Sequence, residues 1–147
     1  MADTSQAPKD LVGFLDYYLV QKAPFQIPEG GRDWIVKFGP WITVVLLVLL
    51  IGPVLAILGL GTIIMPFGGP AYASAFGLSA LLLIIHLVLM IAALPGLFAR
   101  KKSGWNMLFY SELFSIAVSL VSYNIIGGLI GGVIGLYIIF QVRAKYA

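Results

Sequence analysis

The sequence lacks cysteine and has a single histidine, His86, in 147 residues. Without cysteine the chain cannot form disulfides, iron–sulfur clusters or thiolate zinc sites. One histidine cannot build a multi-histidine metal site. No glycine-rich loop of the P-loop or dinucleotide-binding type is present. We therefore expect neither a metal nor an organic cofactor, and most enzyme chemistries are excluded.

Charge is also scarce. Charged residues make up 10% of the chain and hydrophobic residues 61%, whereas a soluble domain has roughly 25% charged and 45–50% apolar residues. So few charges cannot coat a globule in water, and so much apolar side chain does not suit a disordered chain. The composition predicts an integral membrane protein.

The few charges are segregated along the chain. Residues 38–99 contain none, and residues 103–142 contain one, Glu112. Each stretch is long enough for two crossings of about 20 residues. Helix breakers divide the first at 65–70 and, more weakly, the second at 122–124. We predict an all-α, integral membrane four-helix transmembrane bundle of two hairpins. Its spans are expected at about 40–64, 71–94, 105–123 and 124–142, with Gly39-Pro40 at the first start and Pro95 stopping the second.

The basic residues test this topology. All nine lie in the N-terminal segment, the 95–104 loop or the C-terminal tail, which four spans place on one side. The positive-inside rule then predicts that both termini are cytoplasmic, in a membrane of the bacterial inner type. We expect Arg100, Lys101 and Lys102 to fix topology and contact lipid headgroups rather than nucleic acid, because they adjoin two spans.

Residues 1–33 are predicted to form a cytoplasmic or interfacial segment. Apolar residues recur there at helical spacing and predict an amphipathic helix over about 8–21: Leu11, Phe14, Leu15, Tyr18 and Leu19. One interpretation is a helix lying in the headgroup layer, which steadies the bundle. The other is a docking helix for a partner subunit.

Glycines dominate the fourth span. Five of them fall within one face of the helix: Gly127, Gly128, Gly131, Gly132 and Gly135. Such a face lets another helix approach closely. Folding the last hairpin sets Ser119 level with Gly128 and Ser115 level with Gly132. The glycine face is expected to pack either against the third span or against another chain.

Two titratable residues are predicted inside spans. His86 and Glu112 should differ by one residue in depth, about 1.5 Å, and Ser111 and Ser115 accompany Glu112. One hypothesis is a structural hydrogen-bonded pair that locks two spans together. A second is a proton-linked or ion-binding site, because ionisable residues at this depth are often functional. A third is that the two side chains do not meet, with Glu112 snorkelling or bonding Ser115 and His86 paired elsewhere.

We expect a non-catalytic role: an accessory, assembly or structural component of a membrane complex or homo-oligomer. Membrane lipids and other membrane protein subunits, or a second copy, are the expected partners. The alternative is a small-solute, ion or proton-coupled transporter or channel that uses His86 and Glu112. A remote alternative is an intramembrane hydrolase, since Gly77-Leu78-Ser79 faintly resembles a nucleophile motif near His86; no oxyanion hole is evident, and we expect no enzyme.

Overall fold

The computed structural model describes residues 10–121 and 125–147, and these ranges contain helices and no strand. The predicted all-α class is therefore confirmed. The main helices are α1 (Leu11–Asp16), α2 (Glu29–Ile64), α3 (Gly69–Phe98), α4 (Lys102–Val121) and α5 (Ile125–Gln141). A π-helical turn, Tyr17–Gln21, follows α1, and short 3-10 turns occupy Met65–Phe67 and Arg143–Lys145.

Three helical stretches are long and apolar enough to cross a membrane: Glu29–Ala56, Ala80–Phe98 and Ile125–Lys145. These stretches lie in α2, α3 and α5 and are consistent with the predicted membrane localisation. In the described residues α4 is not among these stretches. It is the most polar of the four long helices, because it carries Glu112 and several serines. The fourth crossing remains a prediction.

Two predicted helix boundaries at proline are wrong. α2 begins at Glu29 rather than at Pro40, and α3 continues through Pro95 to Phe98. Proline removes one backbone donor. Membrane helices nevertheless tolerate proline. Ending the helix would leave several backbone groups unpaired in lipid, which costs more than the one hydrogen bond that proline removes.

The two described turns between long helices use left-handed backbone. Gly69 has φ +76° at the start of α3, a conformation that glycine adopts without steric cost. Arg100 has φ +52° after the end of α3. There Lys101 N donates to Gly96 O at 2.8 Å and Arg100 N donates to Leu97 O at 3.1 Å. This is a Schellman motif with arginine where glycine is usual.

A cluster of buried side chains lies between α4 and α5. It comprises Trp105, Phe109, Leu136, Ile139 and Phe140. Trp105 is 1% exposed, and its Nε1–H donates to Ile139 O at 2.8 Å. Its ring meets Phe140 edge-on at 5.3 Å between centroids. The cluster anchors the start of α4 against the end of α5, so these helices run antiparallel.

The N-terminal helix packs on this cluster. Val12, Leu15, Leu19 and Val20 contact it, whereas Leu11, Phe14 and Tyr18 are exposed. Of the predicted apolar face, Leu15 and Leu19 therefore pack on the bundle, while the other three side chains remain exposed. The helix begins at Leu11, where the Asp10 carboxylate accepts from Gly13 N at 3.2 Å; Pro8 and Lys9 lie outside the described residues.

Candidate functional site

His86 of α3 contacts Ser111 of α4. Its Nδ1 lies 3.4 Å from the Ser111 hydroxyl oxygen, and Ser111 is 2% exposed. The imidazole also lies nearly parallel to the Phe114 ring, with centroids 6.5 Å apart. The hydroxyl either donates or accepts here, depending on the imidazole tautomer.

Glu112 faces the other neighbouring helix. Its carboxylate lies against Gly135 of α5, where any added Cβ would collide with Oε1. Within residues 10–121 and 125–147, no hydrogen bond or ion pair joins His86 to Glu112. The reason is angular: consecutive residues of α4 point about 100° apart. Ser111 therefore meets α3 while Glu112 meets α5.

The five glycines of α5 fall into two groups. Gly128, Gly132 and Gly135 face α4, and Gly128 and Gly132 are buried. Ser119 lies against Gly128, whereas Gly132 meets Ile116 instead of the predicted Ser115. Ser115 lies one residue before the contact, so it is not the facing side chain.

The second group of glycines points outward. Gly127 and Gly131 are exposed, and a Cβ added at Gly131 would meet nothing within 4 Å. Among the described residues, therefore, no helix of this chain packs closely against Gly131.

The sequence did not predict the close contact between Gly96 and Gly104. A Cβ added to Gly96 would collide with the Gly104 backbone, and one added to Gly104 would collide with Gly96. The α3 and α4 backbones cross in contact here, at the base of their hairpin. The signal was present in the sequence, because both glycines lie four residues from Arg100; the richer glycine series of α5 obscured it.

Gln141 organises the end of the bundle where α5 finishes, and it is 2% exposed. Its Oε1 accepts from Arg32 Nη2 at 2.9 Å and from Ile27 N at 3.3 Å. Its Nε2 donates to Leu19 O at 2.9 Å. One amide thus joins the N-terminal helix, the following loop and the start of α2 to α5. The sequence does not predict this role, because a lone glutamine at a span end has no distinctive pattern.

Ion pairs reinforce the same end. Arg143 pairs with Asp16 at 3.0 Å, and Lys145 pairs with Asp33 at 2.9 Å and with Glu29 at 3.3 Å. These partly exposed pairs are each worth about 0–1 kcal/mol, so they orient the segments more than they stabilise them.

Arg100, Lys101 and Lys102 lie at this end as well, in the loop between α3 and α4. Ala147 N donates to Arg100 O at 3.1 Å, and Lys102 N donates to Ala147 O at 2.6 Å. The end therefore gathers the basic segments from three parts of the chain. Beside them, burial raises the pKa of the Tyr146 phenol, although Arg100 opposes this shift, so the phenol stays neutral near pH 7.

No family model, curated protein or solved structure matches this chain. Function is therefore inferred from geometry alone. The hydrolase hypothesis has no described geometry to support it, because the side chain of Ser79 lies outside the described part of the structure.

Proposed function

We propose that the protein crosses the membrane four times, with both termini cytoplasmic and in a membrane of the bacterial inner type. The support is the pair of backbone bonds between Ala147 and the 100–102 loop. With three crossings, the end of α5 and this loop would lie on opposite sides of the membrane. α4, with 20 residues, is about 30 Å long, which matches a hydrocarbon core of about 30 Å.

We propose that the N-terminal helix lies in the cytoplasmic headgroup layer. Its exposed Leu11, Phe14 and Tyr18 form the outward side of a helix already fastened to the bundle. Trp34 and Trp41, near the start of α2, are also exposed. Tryptophan and tyrosine rings are enriched at membrane interfaces because they combine an apolar body with a polar edge.

We propose that the role is non-catalytic: the protein is a component of a membrane complex or homo-oligomer and associates through the outer face of α5. The observation that carries this is the open space above Gly131. Glycine costs about 1 kcal/mol relative to alanine in a helix interior. Close helix packing in lipid compensates for that cost, and α4 accounts for the glycines on the inner face only.

A matched pair of substitutions tests this role. Gly131→Leu fills the outer face of α5, and Gly77→Leu makes the same change on α3, where a Cβ also meets nothing within 4 Å. We expect the native protein, extracted gently with its lipids, to co-migrate with a partner subunit or a second copy. Gly131→Leu should remove that species and Gly77→Leu should retain it, measured by native mass spectrometry. A solitary native monomer, or equal behaviour of both variants, would contradict the proposal.

The second candidate function is proton- or ion-coupled transport, and Glu112 favours it. This carboxylate is half-buried against α5, one residue after Ser111 on α4, and has no hydrogen bond or ion pair among the described residues. Ionisable side chains inside membrane helices commonly mark ion pathways. Proteoliposomes with an enclosed pH dye should show proton flux that Glu112→Gln abolishes. Equal flux in protein-free liposomes would exclude this candidate.

A further inference from the structure

A cavity of about 320 Å³ lies at the basic end of the bundle, beside the Gln141 hydrogen bonds and the Arg143–Asp16 pair. It is lined by residues of the N-terminal helix, the start of α2, the start of α4, the end of α5 and the C-terminal turn. Its polar lining consists of Arg32, Lys102, Arg143, Asp16, Gln141 and Tyr146.

The charges around this cavity do not balance. Arg143 is neutralised by Asp16 at 3.0 Å. Arg32 and Lys102 have no carboxylate partner within the two described ranges. Two positive charges therefore line the cavity without an ion-pair partner among the described residues.

Arg32 also presents an unused donor. Its Nη2 donates to Gln141 Oε1 at 2.9 Å and to Gln26 Oε1 at 3.2 Å. Its Nε is buried and has no hydrogen-bond partner. A buried donor of a charged group left unpaired costs about 1–3 kcal/mol or more, so such groups are rare without a reason. A bound anion would balance the excess charge that Arg32 and Lys102 place at the cavity.

We propose that this cavity binds a phosphate-class anion, either the phosphate of a lipid headgroup or free phosphate. The planar guanidinium of Arg32 matches phosphate oxygens in geometry. Lys102 adds a point charge, and the neutral Tyr146 phenol adds a hydroxyl donor. Basic pockets between membrane helices on the cytoplasmic side are the usual sites for anionic headgroups.

An apolar cavity beside the first one could hold the acyl chain of a bound lipid. A second cavity of about 330 Å³ is lined by apolar side chains that include Trp34, Ile42 and Leu97, and Tyr146 lines both cavities. A lipid phosphate in the first cavity would leave its acyl chain next to an apolar surface, whereas free phosphate would use the first cavity only.

Binding is tested on the full chain purified in a neutral detergent. Three probes are titrated while thermal unfolding is followed: inorganic phosphate, phosphatidylglycerol, and phosphatidylcholine of the same chain length. Lys102→Gln removes a cavity charge, and Lys101→Gln removes the neighbouring charge, which does not line the cavity. Arg32→Gln is the stronger perturbation but also releases Gln141. Lys102→Gln carries the test, because its side chain makes no described hydrogen bond.

We expect stabilisation by inorganic phosphate or phosphatidylglycerol and none by phosphatidylcholine at equal concentration. Lys102→Gln should raise the apparent Kd about tenfold, the usual worth of one charge-assisted contact, while Lys101→Gln leaves it within about twofold. A response to phosphatidylglycerol alone identifies the lipid source, and a response to inorganic phosphate alone identifies the free anion. No response to either anion, or equal loss in both lysine variants, would overturn the proposal.

Discussion

Replacing Gln141 by leucine should detach the N-terminal segment from the bundle. Gln141→Leu keeps the size of the side chain but removes two neutral hydrogen bonds, worth about 1 kcal/mol each, and one to a charged group, worth about 2 kcal/mol. Water entering from the adjacent cavity will satisfy part of what is left unpaired. We therefore expect a loss of about 2–4 kcal/mol in the free energy of local opening.

The assay is hydrogen exchange of the backbone amides of residues 11–27, in detergent, by mass spectrometry. A loss near 3 kcal/mol corresponds to exchange that is about a hundredfold faster. Amides of α4 and α5 should change little, because Trp105 and Phe140 keep their own contacts. Gln21→Leu is the matched control, since Gln21 is exposed in the same segment. Unchanged exchange in Gln141→Leu, or equal acceleration in Gln21→Leu, would refute the reasoning.

Three further outcomes are expected. Gly96→Ala should reduce the free energy of unfolding by about 1–3 kcal/mol or more, because the added Cβ meets the Gly104 backbone. The unfolding temperature in detergent should therefore fall, and an unchanged temperature would contradict the close crossing. Arg100→Gly should raise stability by about 1 kcal/mol, since φ is +52°, whereas Arg100→Ala should bring no gain. Asp16→Asn should cost less than about 1 kcal/mol, because its pair with Arg143 is partly exposed; a larger loss on chemical denaturation would show that the pair is structural.

Helix positions in this chain follow from where charge and helix breakers occur. The start of α3 and the bounds of α4 and α5 lie within about three residues of their predictions, because lipid demands uninterrupted helix and loops collect the charges. Pro40 and Pro95 misled the prediction, since proline marks a helix end more reliably in water than in a long apolar helix.

Side-chain partners were less predictable. Equal depth of His86 and Glu112 said nothing about which way each points, and a rotation of 100° sends Ser111 to α3 and Glu112 to α5. Likewise, Ser119 faces Gly128 as the hairpin register predicts, but one turn further along Gly132 faces Ile116 and not Ser115. Gln141 depends on segments more than a hundred residues away in sequence, such as Leu19, and only the folded chain reveals such a contact.

The orientation of α4 is the central claim, and the absence of native cysteine makes it directly measurable. Single cysteines replace Gly68 in the loop after α2, Lys101 in the loop after α3, and Ala144 after α5. Intact cells are treated with a membrane-impermeant maleimide before and after permeabilisation. Four crossings predict that Gly68→Cys is labelled in intact cells, whereas Lys101→Cys and Ala144→Cys are labelled only after permeabilisation. Labelling of Lys101→Cys and Ala144→Cys from opposite sides would contradict the account.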